Sequence, residues 1–240
     1  MRVVSFAVLT ICLYVVSASI LPRSVVESRD AYYAPIDGGG SELIYFPDND
    51  DGEPLNVIIS GLSSADVLTD AGFLNYVRAL GFSEECLDIH LGDPAAADLG
   101  DGNGWVNQTA EYRWDYGDVL LGTCLETLIG GNHLRYYRQN GSEADTAYRK
   151  KRRVQTQIPP VYPNSNKEQD LEEDHTIVPN GYDIGRDELV SIAEGTTSYG
   201  GVTYSTTAEN ITGLLSAGSA GIDHDIYQDG IVTLLTVTIE

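Results

Sequence analysis

Basic side chains are scarce in this chain: 14 Lys and Arg stand against 36 Asp and Glu, for a formal charge of −22 at pH 7. Nucleic acids and anionic lipid surfaces are held through basic patches, so this deficit argues against both as partners. Histidine is also rare. The four, His90, His133, His175 and His224, include no pair at the i, i+4 spacing of a helix-borne zinc site. Long apolar runs are missing beyond residue 16, and no later segment approaches the roughly 18 residues that a membrane helix needs. There is no phosphate-cradling glycine loop and no dinucleotide fingerprint. Ser219, within Ala217–Gly221, lacks the first glycine of a nucleophile elbow. No cofactor is implied, and nothing points to an oligomeric state.

The one apolar run, Val3 to Val16, follows Met1-Arg2 and precedes Ser17-Ala18-Ser19. A short positive start, an apolar core and small residues make a signal peptide over residues 1–18, with cleavage after Ala18. Its removal leaves 222 residues and takes away Arg2, so 13 basic residues face 36 acidic ones and the charge becomes −23. That excess suits solubility, or a cation partner such as Ca²⁺. Of the three cysteines, Cys12 leaves with the signal peptide, and Cys86 and Cys124 most simply form one bridge in an oxidising compartment. Sequons at Asn107, Asn140 and Asn210 complete the pattern of a secreted, extracellular or cell-wall glycoprotein.

Residues 19–52 read as a polar leader or propeptide, with Leu43 to Phe46 as a candidate first strand. Residues 53–240 read as a single domain. Leu55 to Ile59 is a compact apolar strand. Ser63 to Leu80 reads as a helix capped by Ser63 and closed by Gly81, its apolar stripe being Val67, Ala71, Leu74 and Val77. Asp93 to Asn107 is rich in Gly, Asp and Asn and reads as a loop. Tyr112, Trp114 and Tyr116 alternate as in a half-buried strand, and Val119 to Leu121 follows a turn. Leu134 to Arg138 suggests a strand, Arg186 to Glu194 a short helix capped by Asp183, and Val202 to Thr207 and Ile231 to Ile239 two strands of period two. The class expected is α+β, with a largely antiparallel sheet and one or two packed helices.

One stretch fits poorly. Arg149 to Arg153 is Arg-Lys-Lys-Arg-Arg, and Pro159, Pro160 and Pro163 follow. Residues 147–170 therefore read as an atypical basic, proline-bearing insert. Processing after Arg153 by a dibasic-directed protease is its functional reading, and an exposed loop its plain one.

The segments Gly72–Tyr76, Leu99–Trp105, Gly130–Gly141 and Val178–Asp187 together resemble a family of secreted fungal proteins without assigned function. The likeness runs from about Phe46 to Glu240 and implies an extracellular protein without implying any chemistry. A fainter similarity is to the LssY-type C-terminal domain, in which a strand like Leu55–Ile58, a His-Leu-Arg strand and a later Arg-Asp segment recur in order. In the fungal family an apolar strand follows the Asn-Gly turn. Here the basic tract stands in its place, which suggests a segment from an unspliced intron or mis-joined exon and a missing core strand.

Three constellations are candidates for chemistry. His133 and Arg135 share a strand face and, with His175, Asp183, Arg186 and Asp187, could bind an anion or metal or act as acid and base. Structural ion pairing is the favoured reading of the same residues. Trp105, Tyr112, Trp114 and Tyr116 beside acidic residues suit a sugar-binding surface, and equally a sheet that buries one aromatic face. Asp98, Asp101 and Asn103, like Asp223, Asp225 and Asp229, offer oxygens for calcium but match no twelve-residue loop, so solvated turns are preferred. The functional expectation is a non-catalytic extracellular or wall-associated glycoprotein with weak carbohydrate affinity. The alternative is an extracellular hydrolase built on His133, Asp183 and Arg186.

Overall fold

Alternating β-branched and aromatic residues lay down most of the structure, because such side chains pack well on a pleated surface. The computed structural model describes residues 31–90, 92–143, 161–168 and 177–240; for residues 161–166 it describes the backbone only. The signal peptide with Ala18 and Cys12, and likewise Arg153 and His175, lie outside the described residues. The strands are β1 (Leu43–Tyr45), β2 (Glu53–Pro54), β3 (Val57–Ile59), β4 (Phe82–Glu84), β5 (Ala96–Asp98), β6 (Trp105–Asn107), β7 (Ala110–Trp114), β8 (Asn132–Arg138), β9 (Val161–Lys167), β10 (Gly195–Tyr199), β11 (Val202–Thr212) and β12 (Ile231–Ile239). The α-helices are α1 (Asp70–Ala79), α2 (Gly122–Ile129) and α3 (Gly181–Ala193).

The class is α+β, as expected. An eight-stranded sheet runs β10-β11-β12-β3-β9-β8-β7-β4, and a four-stranded sheet runs β2-β1-β5-β6. Every pairing is antiparallel except that of β12 with β3. One core gathers Phe73, Tyr76 and Val77 of α1 and Leu189 and Ala193 of α3 against Tyr112, Leu134, Tyr136, Leu235 and Val237 of the large sheet. A second core joins Ile44 and Ala97 of the small sheet to Ile58, Tyr137, Val232 and Leu234 on the large sheet. Helices α1 and α3, the large sheet and the small sheet thus form three layers.

Several boundaries differ from the sequence reading. Residues 31–52, expected as a leader, are packed into the domain: Ala31 and Ile44 are buried, and β1 pairs with both β2 and β5. The expected loop at 93–107 contains β5 and β6, whose three residues each are too few to display a period. The long helix from Ser63 divides into a 3₁₀ turn, Ala65–Leu68, and α1. Thr69 caps α1, its hydroxyl accepting from the Gly72 amide at 3.0 Å, while the Ser63 hydroxyl accepts from Val237 N. Within the stretch taken for a foreign insert, Val161–Lys167 pairs with β8 along seven residues and touches β3 at Ile59, filling the strand position thought to be missing.

Val119 to Leu121 leads into α2, whose burial is inverted. Gly122, Thr123 and Glu126 face the protein while Leu125, Leu128 and Ile129 are exposed. An amphipathic helix ordinarily turns its leucines inward, so the polar face of α2 must be met by something polar beneath it. The Cys86–Cys124 disulfide anchors this helix, with a Cα–Cα distance of 4.6 Å and a sequence separation of 38. Closing a loop of that size restricts the unfolded chain by about 4 kcal/mol on the chain-entropy account. Glycines seat the helix as well. A side chain on Gly122 would run into the Asp115 carbonyl, and one on Gly131 would come within 2.6 Å of Glu126 Cγ.

Candidate functional site: a buried ionic cluster and an aromatic groove

Strand alternation divides β7 and β8 into two chemistries. Tyr112, Leu134 and Tyr136 face the helix-covered core, so Glu111, Arg113, His133 and Arg135 point to the opposite side. His133 and Arg135 therefore share a face, as their spacing predicts. Under α2 these side chains meet acidic groups from four further segments. Arg113 contacts Glu111 at 2.7 Å, Glu126 at 3.0 Å, Glu168 at 3.3 Å and Glu85 at 3.9 Å. Arg135 contacts Glu111 at 2.9 Å and Glu53 at 3.2 Å. His133 Nδ1 lies 3.1 Å from Glu168 Oε1.

Burial and pairing compete across this cluster. Burial alone would raise the Glu111 carboxyl, but Arg135, His133 and Arg113 outweigh it and hold the group at about 2. Glu168 is likewise lowered against its burial, by His133 and Arg113. For Glu53 and Glu126, burial wins over the neighbouring arginines and raises both. Glu85 is raised by burial and by Glu111. Both guanidiniums are held above the ordinary arginine range: burial opposes this, and the surrounding carboxylates overcome it. Five glutamates, Glu53, Glu85, Glu111, Glu126 and Glu168, thus face two arginines. Toward solvent the cluster continues into a cleft of about 340 Å³ lined by Glu85, His90, Glu111 and Tyr112, where His90 Nδ1 is 2.9 Å from Glu85 Oε2.

The second half of the expected His–Asp–Arg set lies in a separate arrangement. Arg186, 3% exposed, grips both oxygens of Asp229 at 2.7 and 2.9 Å, contacts Asp187 at 2.8 Å and Asp183 at 3.3 Å, and donates to the Ile231 carbonyl. It clasps α3 to the start of β12. Asp183 stands in the first turn of α3 and accepts from Asp229 N instead of capping the helix, a place taken by Asn180. His133 and Asp183 are not brought together in an open pocket, and His133 has no exposed surface.

The acidic turn residues brace backbone. Asp101 is buried and accepts from Asn103 N at 3.0 Å and Gly141 N at 2.7 Å, while Asp98 accepts from Gly100 N. Asn103 donates to the Asn140 side chain. Asp223 accepts from His224 N, and Asp225 lies in the same short turn.

The aromatic candidates part company too. Tyr112 is buried and stacked on Tyr136 with ring centres 5.6 Å apart. Trp114 packs edge-on against Phe82, and the Tyr116 hydroxyl donates to the Gly130 carbonyl. Trp105, 56% exposed on β6, lines a groove. That groove, of about 530 Å³, is lined by Trp105, Tyr45, Phe46, Asn49, Asp50 and Asn107 among others. Tyr45 meets Trp105 edge to face at 5.6 Å, and Arg135 lies over the other groove ring, Phe46, at 5.2 Å. Asn107, Asn140 and Asn210 are all exposed.

No family model, no curated protein and no solved structure matches this chain. Among the described residues no helix is long and apolar enough to cross a membrane.

Proposed function

We propose that this is a secreted glycoprotein whose groove between Tyr45, Phe46 and Trp105 binds a neutral saccharide, without catalysing a reaction on it. One observation carries the reading: Trp105 is more than half exposed at a concave site that already holds two other aromatic rings. The axial C–H face of a pyranose stacks on an indole. The amide of Asn49 and the carboxylate of Asp50 supply hydrogen-bond partners for its hydroxyls. The charge of −22 disfavours anionic glycans and leaves neutral or amino sugars. The disulfide and three exposed sequon asparagines support an extracellular setting.

Titration calorimetry with neutral β-glucan and chitin oligosaccharides tests the groove. Trp105→Ala is expected to weaken binding by about tenfold or more, about 1.4 kcal/mol. Trp114→Ala, which removes a ring packed on Phe82, serves as the control and should lower stability while binding persists in the folded fraction. Equal affinity of Trp105→Ala and the native protein would remove the proposal, as would a native protein that binds none of these sugars.

A further inference from the structure

Glu126, His133 and Glu168 converge from α2, β8 and the residue just after β9, each offering a ligand atom within 4.8 Å of the others. All three side chains are at least nine-tenths buried. Three features distinguish this arrangement from an ordinary buried ion pair. Among the described residues Glu126 Oε1 and His133 Nε2 are buried without a hydrogen-bond partner, although burying a polar group unsatisfied costs about 1–3 kcal/mol. His133 Nδ1 lies 3.1 Å from Glu168 Oε1. Two ligands of one tetrahedral ion are about 3.3 Å apart when each bond is about 2.1 Å, so the spacing suits atoms that share a cation. Finally, α2 exposes its leucines in order to turn Glu126 toward this point.

We infer that Glu126, His133 and Glu168 form a binding site for a divalent transition-metal ion, with Zn²⁺ as its best ligand. One imidazole and two carboxylates are the donors of a borderline cation, whereas Ca²⁺ takes 6–8 oxygens. Arg113 is the orienting residue beside it. Its guanidinium holds Oε2 of Glu126 at 3.0 Å and Oε2 of Glu168 at 3.3 Å, which turns Oε1 of Glu126 toward the ion. Among the described residues the cluster's five carboxylates and two guanidiniums carry a charge of −3 when all are ionised, and a divalent cation reduces it to −1. Three protein ligands leave the fourth tetrahedral position to water.

The test uses the full secreted chain, stripped with a chelator and titrated with ZnCl₂ in a non-coordinating buffer by calorimetry. Bound metal is counted by inductively coupled plasma mass spectrometry. One Zn²⁺ per chain is expected, with about tenfold or greater loss of affinity in Glu126→Gln and in His133→Gln. His90→Ala removes the solvent-facing Glu85–His90–Glu111 group and should leave the stoichiometry unchanged. Co²⁺ in place of Zn²⁺ should give the visible absorption of a four-coordinate site, lost in Glu126→Gln. Should His133→Gln not fold, Glu126→Gln and the Co²⁺ spectrum decide. The inference is overturned if the folded native chain retains no Zn²⁺ after dialysis, if Glu126→Gln binds as the native chain does, or if binding is lost with His90→Ala alone.

Discussion

The two faces of β7 and β8 use the same backbone for opposite purposes. On one, Tyr112, Leu134 and Tyr136 pack on Phe73 in a core without charge; on the other, one residue along, Glu111, Arg113, His133 and Arg135 are buried among carboxylates. The apolar face gains stability roughly in proportion to the area it removes from water. The charged face must recover a desolvation cost of several kcal/mol for each ion through pairing, so a packed apolar replacement would serve stability as well or better.

That contrast can be broken most severely at Arg113. Arg113→Met leaves Glu111, Glu126 and Glu168 buried without their shared cation and should cost about 5 kcal/mol at pH 7, measured by urea unfolding. The pH response should also reverse. In the native chain Glu111 and Glu168 hold their protons less tightly than in the unfolded chain, so the stability they give is present above the ordinary glutamate range. It is lost as pH falls toward about 2. In the variant the buried carboxyls bind protons more tightly when folded, so stability rises as the solution is acidified from pH 7 toward 5.

On the apolar side, Phe73→Ala should cost about 4 kcal/mol through lost burial and a cavity, equally at pH 5 and pH 7. A pH-dependent penalty there would show that the two faces are not independent.

The smallest effect is expected at Glu42, a buried carboxyl beside β1 that has no compensating cation among the described residues. Burial raises it to about 8, and both its oxygens lack hydrogen-bond partners. The folded chain keeps this proton while the unfolded chain releases it above the usual glutamate range. Stability is thus full below about 4.5 and is lost as pH rises through about 8. Glu42→Gln should gain about 2 kcal/mol at pH 8 and nothing at pH 4, read from thermal unfolding at the two pH values.

Much of the fold was legible because long strands advertise themselves. The alternation of β12 put Leu235 and Val237 on one face, and both are in the helix-side core. The Cys86–Cys124 pairing followed from counting, and the shared face of His133 and Arg135 from their spacing. The ionic cluster was harder to read. Glu53, Glu85 and Glu111 are three among 36 acidic residues, and only tertiary contacts single them out. Glu126 was concealed by the inverted pattern of α2, whose leucines point the wrong way for any rule based on burial. Glu168 lay in a stretch whose basic and proline-bearing composition suggested a foreign insert, although β9 completes the sheet there. Of the aromatics, Trp105 was recognised but not Tyr45 or Phe46, since the small sheet joins residues 43–46 to 96–107 only through packing.

The parallel pairing of β3 with β12 sets the order in which the protein can be made. The Ser63 and Ser64 hydroxyls each bind an amide of β12 more than 170 residues downstream, and β3 finds its neighbour there as well. During translation the middle of the large sheet must wait until residues 231–239 leave the ribosome. Until then β3 offers an unfilled edge to any passing strand, and such distant closures are slow.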